Sequence, residues 1–325
     1  MKKSIALSLL LTLGLPFGQA FAAEEPATSR ISGADRYATS ANLSNSYLGW
    51  ETSEVAVIAT GRDFPDALSA TPLAYKYNAP LLLTGTNSLP ASVADELDRL
   101  GVSKVYLIGG TSVISENVVK QLNELGITQV TRISGKDRYE TSVNIAKKLG
   151  VSDGVVVAAG QSFADALSIA PIAAIIETPI LLTKKDVLPT SVARYIDSED
   201  SIEGSLVVGG TGVISNSVMA DLPYPERISG KDRYETNSEI ISFFAEAGLL
   251  DMDYPFIATG QNYPDALSAS AVAAGWYNGV ILTDPNSPKA STKSIIQQYG
   301  DLAEEYIIVG GQKALPDSAV KALFE

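Results

Sequence analysis

The decapeptide RISGADRYAT, residues 30–39, returns as RISGKDRYET over 132–141 and again over 227–236. Three near-identical phrases at a period of roughly 100 residues mark internal duplication, and each period is long enough for a small domain rather than a solenoid coil. The text between the phrases repeats as well. ATGRDFPDALSA (59–70) returns as AAGQSFADALSI (158–169) and ATGQNYPDALSA (258–269). APLLLTGTNSLP (79–90) returns as TPILLTKKDVLP (178–189) and, more loosely, as NGVILTDPNSPK (278–289). VYLIGGTSVIS (105–115) returns as LVVGGTGVIS (206–215) and YIIVGGQKALP (306–316). Each unit thus carries four blocks in one order.

Within a unit, short apolar runs alternate with stretches of helical periodicity. Val55 to Ala59, Pro80 to Leu83 and Val105 to Ile108 read as buried parallel strands. Between them, Pro65 is expected to open a helix running through Leu73. Leu89, Val93, Leu97 and Leu100 mark another helix, closed by Gly101, and Val118, Val119, Leu122 and Leu125 a third, closed by Gly126. The segment from Asp35 to about Gly49 adds a weak helical stripe, and Ile127 to Ile133 a last strand that enters the next RISG. This alternation predicts an α/β fold with parallel sheets covered on both faces. Pro223 and Pro225 should shorten the last helix of unit two. Unit three stops at Glu325 without a final strand, while Arg30 to Gly33 has no preceding unit to join. The expected solution is ring closure: the Arg30 segment supplies the missing strand, and three units form a pseudo-threefold triangle.

Lys2, Lys3, the apolar run Ile5 to Leu15 and Ala20-Phe21-Ala22 have the form of a cleaved secretory leader. The expected division is therefore leader 1–22 and repeats 23–131, 132–226 and 227–325. No second apolar run long enough to span a bilayer follows, so no membrane insertion is expected after cleavage. Neither cysteine nor histidine occurs. That excludes disulfides, thiolate chemistry and histidine-based triads, and leaves no residue constellation that predicts an enzyme, a metal site or a cofactor. The net charge of −13 argues against nucleic acid as partner. It does not argue against smaller anions, which answer to local cations.

Ligands of doubly wound sheets bind beyond the carboxyl ends of the strands. Those ends carry Thr60-Gly61-Arg62-Asp63, Thr84-Gly85-Thr86-Asn87 and Gly109-Gly110-Thr111-Ser112 in unit one. Glycine- and hydroxyl-bearing loops that precede helices offer N–H groups to anions, although tight turns need the same residues. The candidate polymer-binding residues are Thr60, Arg62, Thr84, Gly110 and Thr111, with Thr183, Gly210, Thr211, Thr283 and Gly311 in the sister units. Arg36, Arg138 and Arg233 of the Asp-Arg-Tyr triplets join them as bidentate partners for phosphate or carboxylate. A structural alternative competes: Asp caps a helix, Arg bonds a neighbouring unit and Tyr packs at the seam. Asp66, Asp165 and Asp265, each three residues before a serine, fit a local hydrogen-bonding role better than catalysis. Calcium on Asp63 and Asp66 is weakened by Ser162 in unit two.

With RISGxDRY, PDALSA, PLLLT and IGG read together three times, Arg30 to Glu325 resembles the cell wall binding repeat 2 family of Gram-positive surface proteins. The resemblance implies Rossmann-like or Toprim-like units in a triangle. It also implies a secreted, wall-associated monomer that holds an anionic secondary polymer noncovalently. Members usually carry a further effector domain, and these 325 residues show none. The expected function is anchoring. An accessory role, positioning a separate autolysin or another surface protein, is the alternative, and a carboxylate-based wall hydrolase is less favoured.

Overall fold

A computed structural model describes residues 26–46 and 48–325; the leader therefore lies outside the described residues. Unit one comprises α1 (Arg36–Ser44), β2 (Val55–Thr60), α2 (Thr71–Lys76), β3 (Leu81–Thr84), α3 (Ala91–Leu100), β4 (Lys104–Ile108), α4 (Glu116–Glu124) and β5 (Gln129–Ile133), preceded by β1 (Thr28–Ile31). Unit two follows with α5 (Arg138–Leu149), β6 (Gly154–Ala159), α6 (Ala164–Ile175), β7 (Ile180–Thr183), α7 (Thr190–Ser198), β8 (Gly204–Val208), α8 (Asn216–Ala220) and β9 (Pro225–Ile228). Unit three has α9 (Arg233–Glu246), β10 (Phe256–Thr259), α10 (Pro264–Gly275), β11 (Val280–Thr283), α11 (Ala290–Tyr299), β12 (Tyr306–Val309) and α12 (Asp317–Phe324).

Each unit builds one four-stranded parallel sheet, in the orders β3-β2-β4-β5, β7-β6-β8-β9 and β11-β10-β12-β1. The ring closes as the strand count requires. β1 pairs in parallel with β12, Thr28 opposite Tyr306 through Ile31 opposite Val309. The chain's first strand thus covers an edge that would otherwise present unpaired backbone. Helices α2, α6 and α10 pack against one another around the pseudo-threefold axis. Their buried faces are small: Ala70, Ala170 and Ala269 are fully enclosed, and Thr71 and Ser270 share a 2.7 Å hydrogen bond between units. One continuous hydrophobic core runs through all three units.

The sheets are covered on both faces, which is why their strands read as unbroken apolar runs. One expected helix is split. Instead of running from Pro65 through Leu73, the chain makes a short 3-10 turn at Ala67–Ser69 before α2 begins at Thr71. Unit one alone carries prolines at both ends of this stretch, Pro65 and Pro72, each lacking a backbone donor. The sister segments carry one each and form continuous α6 and α10. α8 is only five residues long, as Pro223 and Pro225 require.

Five positions of the repeated decapeptide have the same local task in all three copies. Arg30, Arg132 and Arg227 donate to the carbonyls of Gly310, Gly109 and Gly209, tying the new unit to the glycine loop of the one before. A Cβ on Gly33, Gly135 or Gly230 would lie within 2.5 Å of the following helix, so only glycine permits that approach. Asp35, Asp137 and Asp232 cap α1, α5 and α9, each accepting two backbone N–H groups. Thr39, Thr141 and Thr236 accept from the N–H of those same glycines at 2.9–3.0 Å. The rings of Tyr37, Tyr139 and Tyr234 lie on Gly61, Gly160 and Gly260.

Candidate functional site

The arginines of the three triplets stand where one unit meets the previous one. Arg36, Arg138 and Arg233 each donate through Nη1 to a glycine carbonyl of their own unit, Gly61 at 2.5 Å, Gly160 at 2.5 Å and Gly260 at 2.6 Å. Their charge acts on a carboxylate of the preceding unit: Arg138 on Asp66, Arg233 on Asp165 and Arg36 on Asp265. The pattern is cyclic, because unit one answers to unit three. Arg233 also lies over the Phe163 ring at 5.3 Å, and Arg36 over the Tyr263 ring at 5.9 Å.

Those carboxylates are held tightly. A Cβ on Gly209 would meet Asp165 Oδ2 at 2.6 Å, and one on Gly310 would meet Asp265 Oδ2 at 2.3 Å. Gly109, Gly209 and Gly310 also have φ of 114°, 111° and 102°, a region that excludes most side chains. Burial raises all three carboxyl pKa values, against the lowering pull of the facing arginine. Asp165 is pushed up to about 6. In Asp66 a hydrogen bond from Thr141 adds a further lowering effect.

Two open clefts result. One, of about 380 Å³, is lined by Asp165, Gly210, Thr211, Lys231 and Arg233. The other, of about 480 Å³, is lined by Arg36, Asp265, Gly311, Gln312 and Lys313. The N–H groups of Gly210, Thr211 and Gly212, and of Gly311, Gln312 and Lys313, donate to no backbone carbonyl among the described residues. Consecutive free N–H groups beside a lysine and an arginine suit an anion. At the junction of units one and two, the equivalent residues are Asp66, Gly110, Thr111, Lys136 and Arg138, and Thr111 and Lys136 are exposed.

The structure therefore brings Arg36, Arg233, Gly210, Thr211 and Gly311 to the clefts, with Arg138, Gly110 and Thr111 in the matching places. It does not bring the strand-end threonines. Thr60, Thr84, Thr183 and Thr283 are at most 2% exposed. As last residues of β2, β3, β7 and β11 they still belong to doubly covered sheets, and their hydroxyls cannot reach a polymer. Thr60 Oγ1 instead accepts from the Arg62 N–H, and Thr84 donates to the Ser88 carbonyl. Arg62 is exposed outside either lined cleft. Of the structural tasks expected in the triplets, Asp caps the helix in all three; the arginines and tyrosines instead bond to or pack on a glycine of their own unit, and only Arg36 also donates to another unit, to the Tyr263 hydroxyl at 3.3 Å.

Sequence reading missed the aromatic triangle on the axis. Phe64, Phe163 and Tyr263 meet with ring centroids 5.6, 5.7 and 6.2 Å apart. The signal was available, since these residues share one column of the second block. Among the described residues no cluster of His, Cys, Asp or Glu has a metal-holding arrangement, and no helix is long and apolar enough to cross a membrane.

Known proteins resemble this chain in sequence and in structure. The chain is 32% identical over 323 residues to the N-acetylmuramoyl-L-alanine amidase LytC of Bacillus subtilis (strain 168), a match covering 99% of this chain and 63% of the relative. It is 34% identical over 283 residues to the amidase enhancer of the same organism, covering 86% of this chain and 38% of that one. Among solved structures, Cwp6 from Clostridium difficile superposes with a TM-score of 0.81 at 28% identity, over 92% of this chain and 47% of the other. Cwp8 from the same organism gives 0.80 at 25%, over 92% and 51%. The chain thus spans less than two thirds of each of these proteins. The model of cell wall binding domain 2 (CWB2) matches residues 30–119, 132–219 and 227–320, and the chain belongs to that family as a tandem of three repeats.

Proposed function

We propose that the chain is held noncovalently at the Gram-positive cell surface by an anionic secondary wall polymer, teichoic-acid-like or phosphate-bearing, that enters the clefts between units. The observation that carries this is the repeated pairing of free loop N–H groups with cations: Arg233 and Lys231 in one cleft, Arg36 and Lys313 in another. One such cleft binds weakly. Two such clefts, with the matching residues of the third junction, held at fixed spacing on one polymer chain gain from avidity without any new contact. Contacts of this kind are partly solvated, so added salt weakens them. The arrangement serves binding rather than catalysis, because each seam carboxylate faces an arginine and is wedged against a glycine.

Pelleting of residues 23–325 with purified walls, before and after acid extraction of anionic polymers, tests the target. Binding should fall on extraction. It should also fall for Lys136→Gln/Lys231→Gln/Lys313→Gln, whose three lysines are solvent-exposed and can be replaced without disturbing the seams. Binding that survives both changes would refute the proposal. The similarity to an amidase enhancer supports a second reading, an accessory that positions a separate autolysin. Co-purification with a wall hydrolase from intact cells would favour that reading over a bare anchor.

A further inference from the structure

The opposite end of the junction between units one and two carries a cluster that the threefold pattern does not explain. Tyr106 on β4 is fully buried, and its hydroxyl has no hydrogen-bond partner. The half-buried Tyr77, just after α2, stacks on it with centroids 4.8 Å apart. Lys104 Nζ lies 5.0 Å and Lys148 Nζ 5.1 Å from the Tyr106 ring centre, and Lys104 is also 5.8 Å from that of Tyr77. Lys76, next to Tyr77 in the chain, donates to the Leu149 carbonyl at the end of α5. Glu54 is the carboxylate that acts on Lys104. Burial raises the Tyr106 pKa, but Tyr77, Lys104 and Lys148 outweigh it and draw the phenol below its usual value.

None of this is required by the scaffold. The positions of Tyr106 are filled by Leu206 and Ile307 in the sister units, those of Lys104 by Gly204 and Glu305, and those of Tyr77 by Ile176 and Trp276. Both sister sheets form without tyrosine or lysine there. Lysines in the last turn of α5 complement the helix dipole, yet that accounts for Lys147 and Lys148 and not for Lys104 on a strand. Converging ammonium groups repel one another, and in a chain with 37 acidic and 24 basic residues their meeting at a buried, unpartnered hydroxyl is a chemical feature of its own.

We infer that Lys104 and Lys148, with the Tyr77 ring as wall and the Tyr106 ring as floor, form a separate site for one phosphate group carried on a glycan or polyol. The ammonium groups neutralise the phosphate oxygens, and the Tyr77 ring lies against the attached carbon skeleton. The site is single, so it discriminates the two ends of a bound chain where the seam clefts cannot.

Titration calorimetry with glycerol phosphate at constant ionic strength tests this without any wall material, and so independently of the polymer proposal. Saturable one-site binding in the millimolar range is expected, weakened at least tenfold in Lys104→Gln/Lys148→Gln and kept in Lys136→Gln/Lys231→Gln/Lys313→Gln. In the absorbance titration of tyrosinate, glycerol phosphate should move the earliest ionisation to higher pH, and Tyr106→Phe should abolish that step. Absence of saturable binding, or equal binding in the folded Lys104→Gln/Lys148→Gln variant, would overturn the assignment.

Discussion

Replacing Asp165 by asparagine should stabilise this protein at neutral pH, although it removes a charge that faces Arg233. The Asp165 carboxyl is 7% exposed and packed against the Cα of Gly209. Burial moves its pKa from 3.8 to about 6, the attraction of Arg233 being already included in that balance. A shift of that size is worth about 3 kcal/mol, since one unit corresponds to about 1.4 kcal/mol. Between the unfolded and folded pKa values the native state binds a proton that the unfolded chain has released. Stability from this group is therefore full in acid and is lost as pH rises through about 4 to 6. The asparagine variant has no such slope, while all other carboxylates affect both proteins alike. Denaturant unfolding of the pair at several values from about pH 4 to about pH 7.5 should show their difference moving by up to about 3 kcal/mol in favour of the variant. A difference constant within about 0.5 kcal/mol, or one favouring the wild type as pH rises, would refute the reasoning. The carboxylate would then be an ordinary paired anion in the native state.

Three further outcomes follow from the seams. Gly209→Ala places a methyl group 2.6 Å from Asp165 Oδ2 at φ 111°; a loss of about 2–4 kcal/mol is expected, whereas Gly311→Ala, with open space around it, should cost less than about 1 kcal/mol, both read by denaturant unfolding. Removal of residues up to Ser32 deletes β1 and bares β12, so gel filtration should reveal self-association through that edge. Tyr263→Phe removes the 2.7 Å hydrogen bond to the Gly61 carbonyl, at a cost of about 1 kcal/mol, and faster hydrogen exchange is expected at the amides of Tyr306 and Gly310, which donate to Ala27 and Ile31 at either end of β1.

Much of the fold was legible because duplication multiplied weak signals. One apolar run followed by a glycine is ambiguous, but the same run in three copies fixes strand, loop and helix together. Ring closure was legible from a strand count, since unit three lacks what Arg30 to Gly33 provides. The site was only half legible. The loop glycines and triplet arginines stand at the clefts or in the matching places. The threonines lie away from them, because sequence cannot say whether the last residue of a strand still lies beneath its covering helices. Thr84, Thr183 and Thr283, each 0% exposed, do. The split at Ala67–Ser69 required weighing Pro65 and Pro72 jointly. The Tyr106 cluster escaped for the opposite reason: a search for what repeats passes over what occurs once.

The ring also explains which positions break the repeat. Two junctions are joined by continuous chain, through β5 and β9, while the junction of units three and one has no covalent link. That junction carries several polar contacts whose counterparts are missing at one or both of the others. Tyr263 stands in the column of Phe64 and Phe163, and its extra hydroxyl bonds the Gly61 carbonyl and accepts from Arg36. Trp276, in the column of Tyr77 and Ile176, donates to the Leu48 carbonyl. Ser270 answers Thr71 across the axis, where unit two has Ala170. Arg30 reaches both Gly310 and Asp317, and its ion pair with Asp317 is matched by Arg132 with Glu116 but not by Arg227, whose Nη2 is buried without a partner opposite Asn216. Individually these bonds are worth on the order of 1 kcal/mol. Concentrated at the one junction that can open without breaking the chain, they oppose the motion that would separate β1 from β12 and pull Arg36 away from Asp265, the contact on which the cleft between units three and one depends.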